Sequence, residues 1–125
     1  MKKASAHILL VDDNPKGIEF LEIRLKSLGH RTTLAHNGEV AIAIVERDKP
    51  DVVVLDVTMP EVNGYQACRA MRAGGLDAIF VAMTGYSQEE DRRKSREAGF
   101  HHHLAKPVDP MVLQSLLAQM GMGGE

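Results

Sequence analysis

The chain is poor in the residues that mark several classes of protein. It contains one cysteine, Cys68, no tryptophan, two tyrosines and three phenylalanines. A single cysteine excludes an internal disulfide framework and fits a reducing compartment. Acidic and basic residues nearly balance, 17 against 15, so there is no general attraction for nucleic acid or for an anionic membrane. No apolar run approaches the roughly 18 residues of a membrane span, and Ile8–Val11 is too short for a signal peptide. We therefore expect a cytoplasmic protein that contacts neither nucleic acid nor membrane.

Enough apolar material is present for one core. The chain has 125 residues and 44% hydrophobic composition, which suits one domain. We expect residues 1–125 to form a single domain with its core at about 7–120 and with no effector domain. Short apolar runs alternate with stretches of helical periodicity. The predicted strands are Ile8–Val11, Thr32–Ala35, Val52–Asp56, Ala78–Met83 and His102–Ala105.

The alternation of five strands with five helices predicts a parallel sheet with right-handed crossovers and helices on both faces. The first, third and fourth strands are almost entirely apolar and should be central. The second strand carries Thr32 and Thr33, and the fifth carries His102 and His103, so both should lie at edges. The order 2-1-3-4-5 satisfies these conditions, which gives a flavodoxin-like (βα)5 doubly wound fold.

Two of the predicted helices have distinctive sequence features. The second begins near Asn37, and its spacing predicts an inner face. That face consists of Val40, Ala41, Ile44 and Val45. Ser87 and Glu90 form a capping box for the fourth helix, but almost no large apolar residue follows them before Gly99. We expect this fourth helix to be the least anchored.

Polar residues follow four of the five strands at their carboxyl ends. They are Asp12 and Asp13, Asp56, Thr84, and Lys106. In the predicted order the three carboxylates meet at the point where the strand order reverses, where ligands bind in open α/β sheets. Two unit charges about 4 Å apart repel by on the order of 4 kcal/mol at an effective dielectric near 20. Because the lysine offsets only one of these charges, the cluster predicts a Mg²⁺ site with oxygen ligands.

A carboxylate beside Mg²⁺ and an ammonium group can attack a phosphoryl group and form an aspartyl phosphate. The metal and Lys106 would neutralise charge on the transferring oxygens. The hydroxyl of Thr84 can donate a hydrogen bond to a phosphoryl oxygen that is present only after transfer, which makes it a natural sensor.

These motifs together resemble the receiver domain of bacterial two-component response regulators. The resemblance covers Ile8 to Met120 and rests on Asp12-Asp13, Asp56 in D-x-x-M-P-x-x-x-G, Thr84-Gly85 and Lys106-Pro107. It implies that Asp56 is the phosphoacceptor. It also implies that Asp13 and Asp56 bind Mg²⁺ directly, that Asp12 acts mainly through water, and that the main-chain carbonyl of Thr58 is the third protein ligand.

The resemblance further implies how the domain is used. A histidine kinase or a histidine-containing phosphotransfer protein donates the phosphoryl group, Lys106 contacts it, and a cis peptide bond joins Lys106 to Pro107. Self-catalysed transfer and autodephosphorylation are then the only chemistry. Thr84 is coupled to a ring on strand five, and the switch acts on a downstream protein through helix four, strand five and helix five. His103 occupies the ring position, where tyrosine or phenylalanine is usual, and we hypothesise that it swings inward on phosphorylation.

Several alternatives compete with this interpretation. A phosphorylation-independent pseudo-receiver would bind partners with the same fold. A metal-dependent aspartyl phosphatase would need a second aspartate where Thr58 stands. A flavodoxin would need a phosphate loop after strand one, where Asp12-Asp13 would repel phosphate. Tyr86 and Thr58, near the site mouth, are candidates for tuning hydrolysis of the phosphoaspartate. The basic cluster of Arg92, Arg93, Lys94 and Arg96 is a solvated face or a partner surface.

Overall fold

The computed structural model describes residues 6–59, 61–85 and 89–120. Within them, strands and helices alternate along the chain. The strands are β1 (His7–Val11), β2 (Arg31–Ala35), β3 (Val52–Asp56), β4 (Ile79–Thr84) and β5 (His102–Ala105). The helices are α1 (Pro15–Ser27), α2 (Gly38–Asp48), α3 (Gly64–Ala73), α4 (Glu89–Ala98) and α5 (Pro110–Gln119).

The five strands form one sheet in the order β2-β1-β3-β4-β5, and all neighbouring pairs are parallel. This confirms the predicted flavodoxin-like topology. Every residue of β1 and β3 is buried, whereas the edge strand β5 is half-buried or exposed along its length. The apolar strands are central because helices cover both faces of a parallel sheet.

Alternate residues along each central strand belong to two separate cores, as the two-residue period of a strand requires. On one face, Leu9, Val53 and Phe80 pack with side chains of α2, α3 and the end of α4. On the other face, Ile8 and Val54 pack with α1 and α5. Apolar side chains therefore fill the space between the sheet and the helices on both faces.

Side-chain caps fix the starts of four helices, so the loops that precede them turn at defined residues. The side chain of Asn14 accepts a hydrogen bond from the Lys16 amide at the start of α1, and Asn37 and Asp109 do the same for α2 and α5. At α3, Asn63 and Gln66 form a capping box. Three of these caps follow directly or closely on a strand end, so they place the helix starts at the same edge of the sheet.

The predicted bounds of the five strands agree with the structure within one residue. One residue predicted on the inner face of α2 does not lie there. Val40 is 45% exposed, so its assignment to the buried face of α2 is wrong. Neighbouring helical residues are about 100° apart, and the face turned to the sheet is centred on Ala41 and Val45. The predicted capping box of α4 includes Ser87, which lies outside the described residues, as does Tyr86. Among the described helices, none is long and apolar enough to cross a membrane.

Candidate functional site

The register of the sheet brings the predicted site residues to one edge. Val11 of β1 pairs with Leu55 of β3, so Asp12 and Asp56 lie at the same level on neighbouring strands. Both carboxylates are almost completely buried, with 1% of each residue exposed. Asp13, in contrast, is exposed beside them. The sequence therefore places two buried acids and one solvent-facing acid at the carboxyl edge.

Lys106 joins the two buried acids. Its Nζ lies 3.0 Å from Oδ2 of Asp12 and 3.1 Å from Oδ2 of Asp56. Two backbone features fix the lysine: its amide donates to the carbonyl of Thr84 at 2.7 Å, and a cis peptide bond joins it to Pro107, as the resemblance implied. One ammonium group thus bridges strands β1 and β3 from the end of β5.

The remaining carboxylate oxygens have their own donors. The amide of Asn14 donates to Oδ1 of Asp12 at 2.9 Å. Oδ1 of Asp56 accepts two hydrogen bonds from Thr58, from the amide at 3.0 Å and from the hydroxyl at 3.1 Å. Each buried acid is therefore held at both oxygens, and its orientation is defined without any further ligand.

The pKa values of Asp56 and Lys106 are both raised, but for different reasons. Burial raises the pKa of the Asp56 carboxyl, and the Asp12 charge adds to this, while the hydrogen bonds from Thr58 and Lys106 oppose it. Burial alone would lower the pKa of Lys106, but its hydrogen bonds to the two carboxylates outweigh that effect, and its pKa is raised. The lysine therefore stays charged, and its ammonium group opposes the effect of burial on the Asp56 carboxyl.

The acidic cluster has the donors that a hard divalent cation needs. Ligand oxygens of Asp12, Asp13 and Asp56 all lie within 4.8 Å of one another. All three are carboxylates, the ligand type preferred by Mg²⁺, and the exposure of Asp13 leaves room for water ligands. Because Lys106 supplies only one positive charge for three carboxylates, the residues present fit a divalent cation.

Close backbone packing fixes the main chain at the end of β3, next to the Asp56 carboxylate. Gly64, the first residue of α3, lies against the main chain of Asp56 and Val57. A Cβ atom on Gly64 would collide with the carbonyl oxygen of Asp56 and would lie 2.7 Å from the Cα atom of Val57. The glycine in the D-x-x-M-P-x-x-x-G motif is therefore required by this close approach, and not by a special φ angle.

The two predicted switch residues face the same side of the sheet. Ala82 pairs with His103, so His103 and Thr84 are diagonal neighbours on the face that packs against α4. Thr84 is buried. Nδ1 of His103 lies 3.1 Å from the hydroxyl of Ser95, a buried residue of α4. The imidazole of His103 on β5 therefore makes a polar contact with α4. Which of the two groups donates the hydrogen depends on the tautomer of the imidazole.

Sequence reasoning placed the predicted site residues at one edge of the sheet, and the structure brings Asp12, Asp13, Asp56 and Lys106 together there. The sequence analysis missed the hydrogen bond from the Thr58 hydroxyl to Asp56, although a threonine two residues after an aspartate is a signal for such a bond. It also missed Ser95, because a contact between α4 and β5 leaves no local signal in the sequence.

Comparisons with known proteins agree with this geometry. The family model described as the response regulator receiver domain matches residues 8–118. The protein PilH of Pseudomonas aeruginosa is 36% identical over 110 residues, with 86% of this chain and 91% of PilH covered. The response regulator MprA of Mycobacterium ulcerans is 36% identical over 116 residues, covering 93% of this chain and 49% of MprA, so this chain spans about half of that relative.

Solved structures give the same result. The receiver domain of the sensor histidine kinase PA1611 from Pseudomonas aeruginosa, with a magnesium ion in its active-site cleft, superposes with a TM-score of 0.84 at 35% identity, covering 97% of this chain and all of that one. The chemotaxis protein CheY4 of Vibrio cholerae superposes with a TM-score of 0.87 at 25% identity, covering 93% and 98% of the two chains. This chain belongs to the family of response regulator receiver domains.

Proposed function

We propose that this chain accepts a phosphoryl group on Asp56 from a histidine kinase or a histidine-containing phosphotransfer protein. The observation that carries the proposal is the Lys106 ammonium, held between the buried carboxylates of Asp12 and Asp56, with the exposed carboxylate of Asp13 beside them. A nucleophilic oxygen, a fixed cation and a site for a second cation are the requirements for phosphoryl transfer to a carboxylate. The chain then acts as phosphoacceptor and as its own catalyst, and it is not an enzyme with a separate substrate.

In the transfer step, an oxygen of Asp56 forms the new bond to phosphorus. The bond from phosphorus to the imidazole nitrogen of the donor breaks, and its electron pair stays on that nitrogen. Lys106 neutralises charge on the phosphoryl oxygens, and the Thr58 amide keeps the carboxylate oriented. Attack of water on the phosphoaspartate later returns the carboxylate and releases phosphate.

Mg²⁺ is the cofactor that fits the acidic cluster. Asp13 and Asp56 would bind it directly, Asp12 through water, and Thr58 through its main-chain carbonyl, as the family resemblance implies. Such an ion supplies positive charge to the phosphoryl oxygens without any proton transfer. The magnesium ion in the cleft of the PA1611 receiver domain supports the assignment.

A surface beside the site suits a protein donor. Helix α1 begins two residues after Asp13, and its outer face exposes Phe20 by 66% and Ile23 by 65%. A donor protein must rest on the rim of the site to bring its phosphohistidine to Asp56. We propose that the helix of the donor that carries this histidine packs on Phe20 and Ile23, whose apolar surface is otherwise in water.

The output follows from the contacts of the switch residues. When Thr84 is drawn to a phosphoryl oxygen, space opens on the face of the sheet where His103 is its diagonal neighbour. Inward motion of His103 would change its contact with Ser95 and so the position of α4. A downstream protein would then sense the phosphorylation state on the surface formed by α4, β5 and α5.

Beryllofluoride, which mimics a phosphoryl group on a carboxylate, tests the proposal. With Mg²⁺ present, we expect the amide resonances of Thr84, Ser95 and His103 to shift in a ¹⁵N-labelled sample of the wild-type chain. The Asp56→Asn variant should show none of these shifts. A wild-type spectrum that beryllofluoride leaves unchanged would support the phosphorylation-independent binding module instead. If His103 keeps one side-chain orientation in both states, the switch hypothesis is wrong even where Asp56 is modified.

The proposed contact of the donor helix with Phe20 and Ile23 needs a separate experiment. A phosphotransfer profile against the purified histidine kinases of the host identifies the fastest donor. The double variant Phe20→Ala/Ile23→Ala should then accept phosphate from this donor at least tenfold more slowly, while labelling by acetyl phosphate is unchanged. Val40→Ala is the matched control, because it also removes an exposed apolar side chain but lies on the opposite face of the sheet. Equal transfer to the wild type and the double variant would refute the donor surface alone.

A further inference from the structure

A groove lies at the end of the molecule opposite to the acidic site. It is formed where α2 and α3 end and where the chain turns back into β3 and β4. Because all strands are parallel, the first residue of β3, Val52, lies at the far edge from Asp56, about 13 Å away for four steps of about 3.3 Å. The receiver chemistry therefore makes no use of this groove.

The floor of the groove is apolar. Val45, Pro50 and Met71 are buried below it, and Ile42 and Leu76 form half-buried walls. The groove has a volume of about 370 Å³, which is within the range of sites that bind small organic molecules. An aromatic ring or a branched aliphatic group on a ligand would find apolar contacts there.

The rim of the groove is negative. Three carboxylates, those of Glu46, Asp51 and Asp77, line it, with Lys49 as the one lysine or arginine in the lining. The Asp51 carboxylate is held in place because it accepts the His7 amide at 2.9 Å. Two helices, α2 and α3, also end at the groove, and the carboxyl ends of helices carry partial negative charge.

The nearby arginines are engaged elsewhere. The guanidinium of Arg47 makes two hydrogen bonds to Asp48, each 3.0 Å long. The guanidinium of Arg72 lies over the ring of Phe80, 5.6 Å from its centre, and its side chain runs close to Gly99. Neither arginine lines the groove, so the lining holds three carboxylates against the one ammonium group of Lys49.

We propose that this groove binds a small organic cation, a primary ammonium group carried on an aromatic or branched aliphatic body. The apolar body would occupy the floor above Met71, and the ammonium group would lie between the carboxylates of Glu46 and Asp77. Both of these carboxylates are exposed, so the cation keeps part of its hydration and loses little on binding. The site is independent of phosphorylation at Asp56.

Three probes with the same ring and different charge test the proposal. Phenethylamine, phenethyl alcohol and phenylacetate are titrated at neutral pH and fixed ionic strength into the full ¹⁵N-labelled chain, without Mg²⁺ or a phosphodonor. We expect saturable shifts of the amides of Met71, Leu76 and Asp77. Phenethylamine should bind about threefold to tenfold more tightly than the alcohol, and phenylacetate should give no saturable shift.

Charge-neutral variants give the control. Glu46→Gln/Asp77→Asn should reduce the affinity for phenethylamine to that of the alcohol. Glu19→Gln/Glu39→Gln removes the same charge from exposed sites outside the groove and should leave binding unchanged. The proposal is overturned if the three probes bind alike, if none gives saturable shifts at the groove, or if phenethylamine binds the two double variants equally. Because no phosphodonor is present, failure here leaves the phosphoacceptor proposal intact.

Discussion

Replacing Lys106 by methionine should show how much the stability of the fold depends on the one ammonium group between the buried acids. The Nζ atom lies 3.0 and 3.1 Å from oxygens of two almost fully buried carboxylates. Each contact is worth on the order of 5 kcal/mol at an effective dielectric near 20, before desolvation and the repulsion between the acids are subtracted. Removing one partner of a buried ion pair costs about 3–5 kcal/mol. Since the lysine side chain is 31% exposed, we expect Lys106→Met to lower the free energy of unfolding by about 2–3 kcal/mol.

Urea unfolding followed by circular dichroism at neutral pH, in EDTA, measures this loss. Lys26→Met is the matched control: its ammonium pairs with Glu22 at 3.4 Å on the surface, so its loss should stay within about 0.5 kcal/mol. Adding Mg²⁺ should stabilise Lys106→Met more than the wild type, because the variant has one cation fewer among the carboxylates. If Lys106→Met is as stable as Lys26→Met in EDTA, or if Mg²⁺ stabilises Lys106→Met less than the wild type, the buried acids do not depend on Lys106 in this way.

Three further predictions concern the supports of the site and of the fold. Gly64→Ala should lower the free energy of unfolding by about 3 kcal/mol, because its Cβ meets the backbone of the Asp56 strand end; Gly85→Ala, whose Cβ meets nothing within 4 Å, should be tolerated, and equal urea midpoints for the two would contradict the packing argument. Ser95→Ala should cost about 1 kcal/mol and shift the ¹⁵N resonance of His103 Nδ1; an unchanged imidazole spectrum would exclude the hydrogen bond. Partial burial and the charge of Arg72 lower the pKa of His101, and its Nδ1 accepts a hydrogen bond from the Phe80 amide, so the folded state resists protonation. Stability should therefore be complete above the unfolded pKa of about 6.5 and fall as the pH drops below it; in His101→Asn, which keeps an acceptor near the same place, the fall should shrink, and an unchanged pH profile from urea titrations would refute this role.

Much of the fold follows from local patterns in the chain. The pattern of the run Val52–Asp56 predicts the bounds that the structure has, because Asp51 and Asp56 mark the two ends of its apolar stretch. His102–Ala105 was predicted equally well, since Lys106-Pro107 stops the strand. The exposure of Val40 does not follow from such a pattern, because helical spacing alone does not determine which part of a wide apolar face the sheet covers.

The candidate site was predictable as a set of residues but not as a network. Residues at the carboxyl ends of neighbouring parallel strands must come together, which is why Asp12 and Asp56 could be paired without coordinates. A threonine two residues after Asp56 is a local signal for the bond from its hydroxyl, whereas the contact of Ser95 with His103 depends on how α4 packs against β5 and leaves no local signal. The groove between α2 and α3 also needed the structure, because its lining comes from separate segments of the chain.

The central claim, that Asp56 is the phosphoacceptor, is tested most directly by mass spectrometry of the intact chain after incubation with acetyl phosphate and Mg²⁺. We predict one added phosphoryl group on the wild-type chain, absent when Mg²⁺ is removed by EDTA and absent from Asp56→Asn. A chain that gains no phosphoryl group under these conditions, or an Asp56→Asn variant that gains one as readily as the wild type, would contradict it.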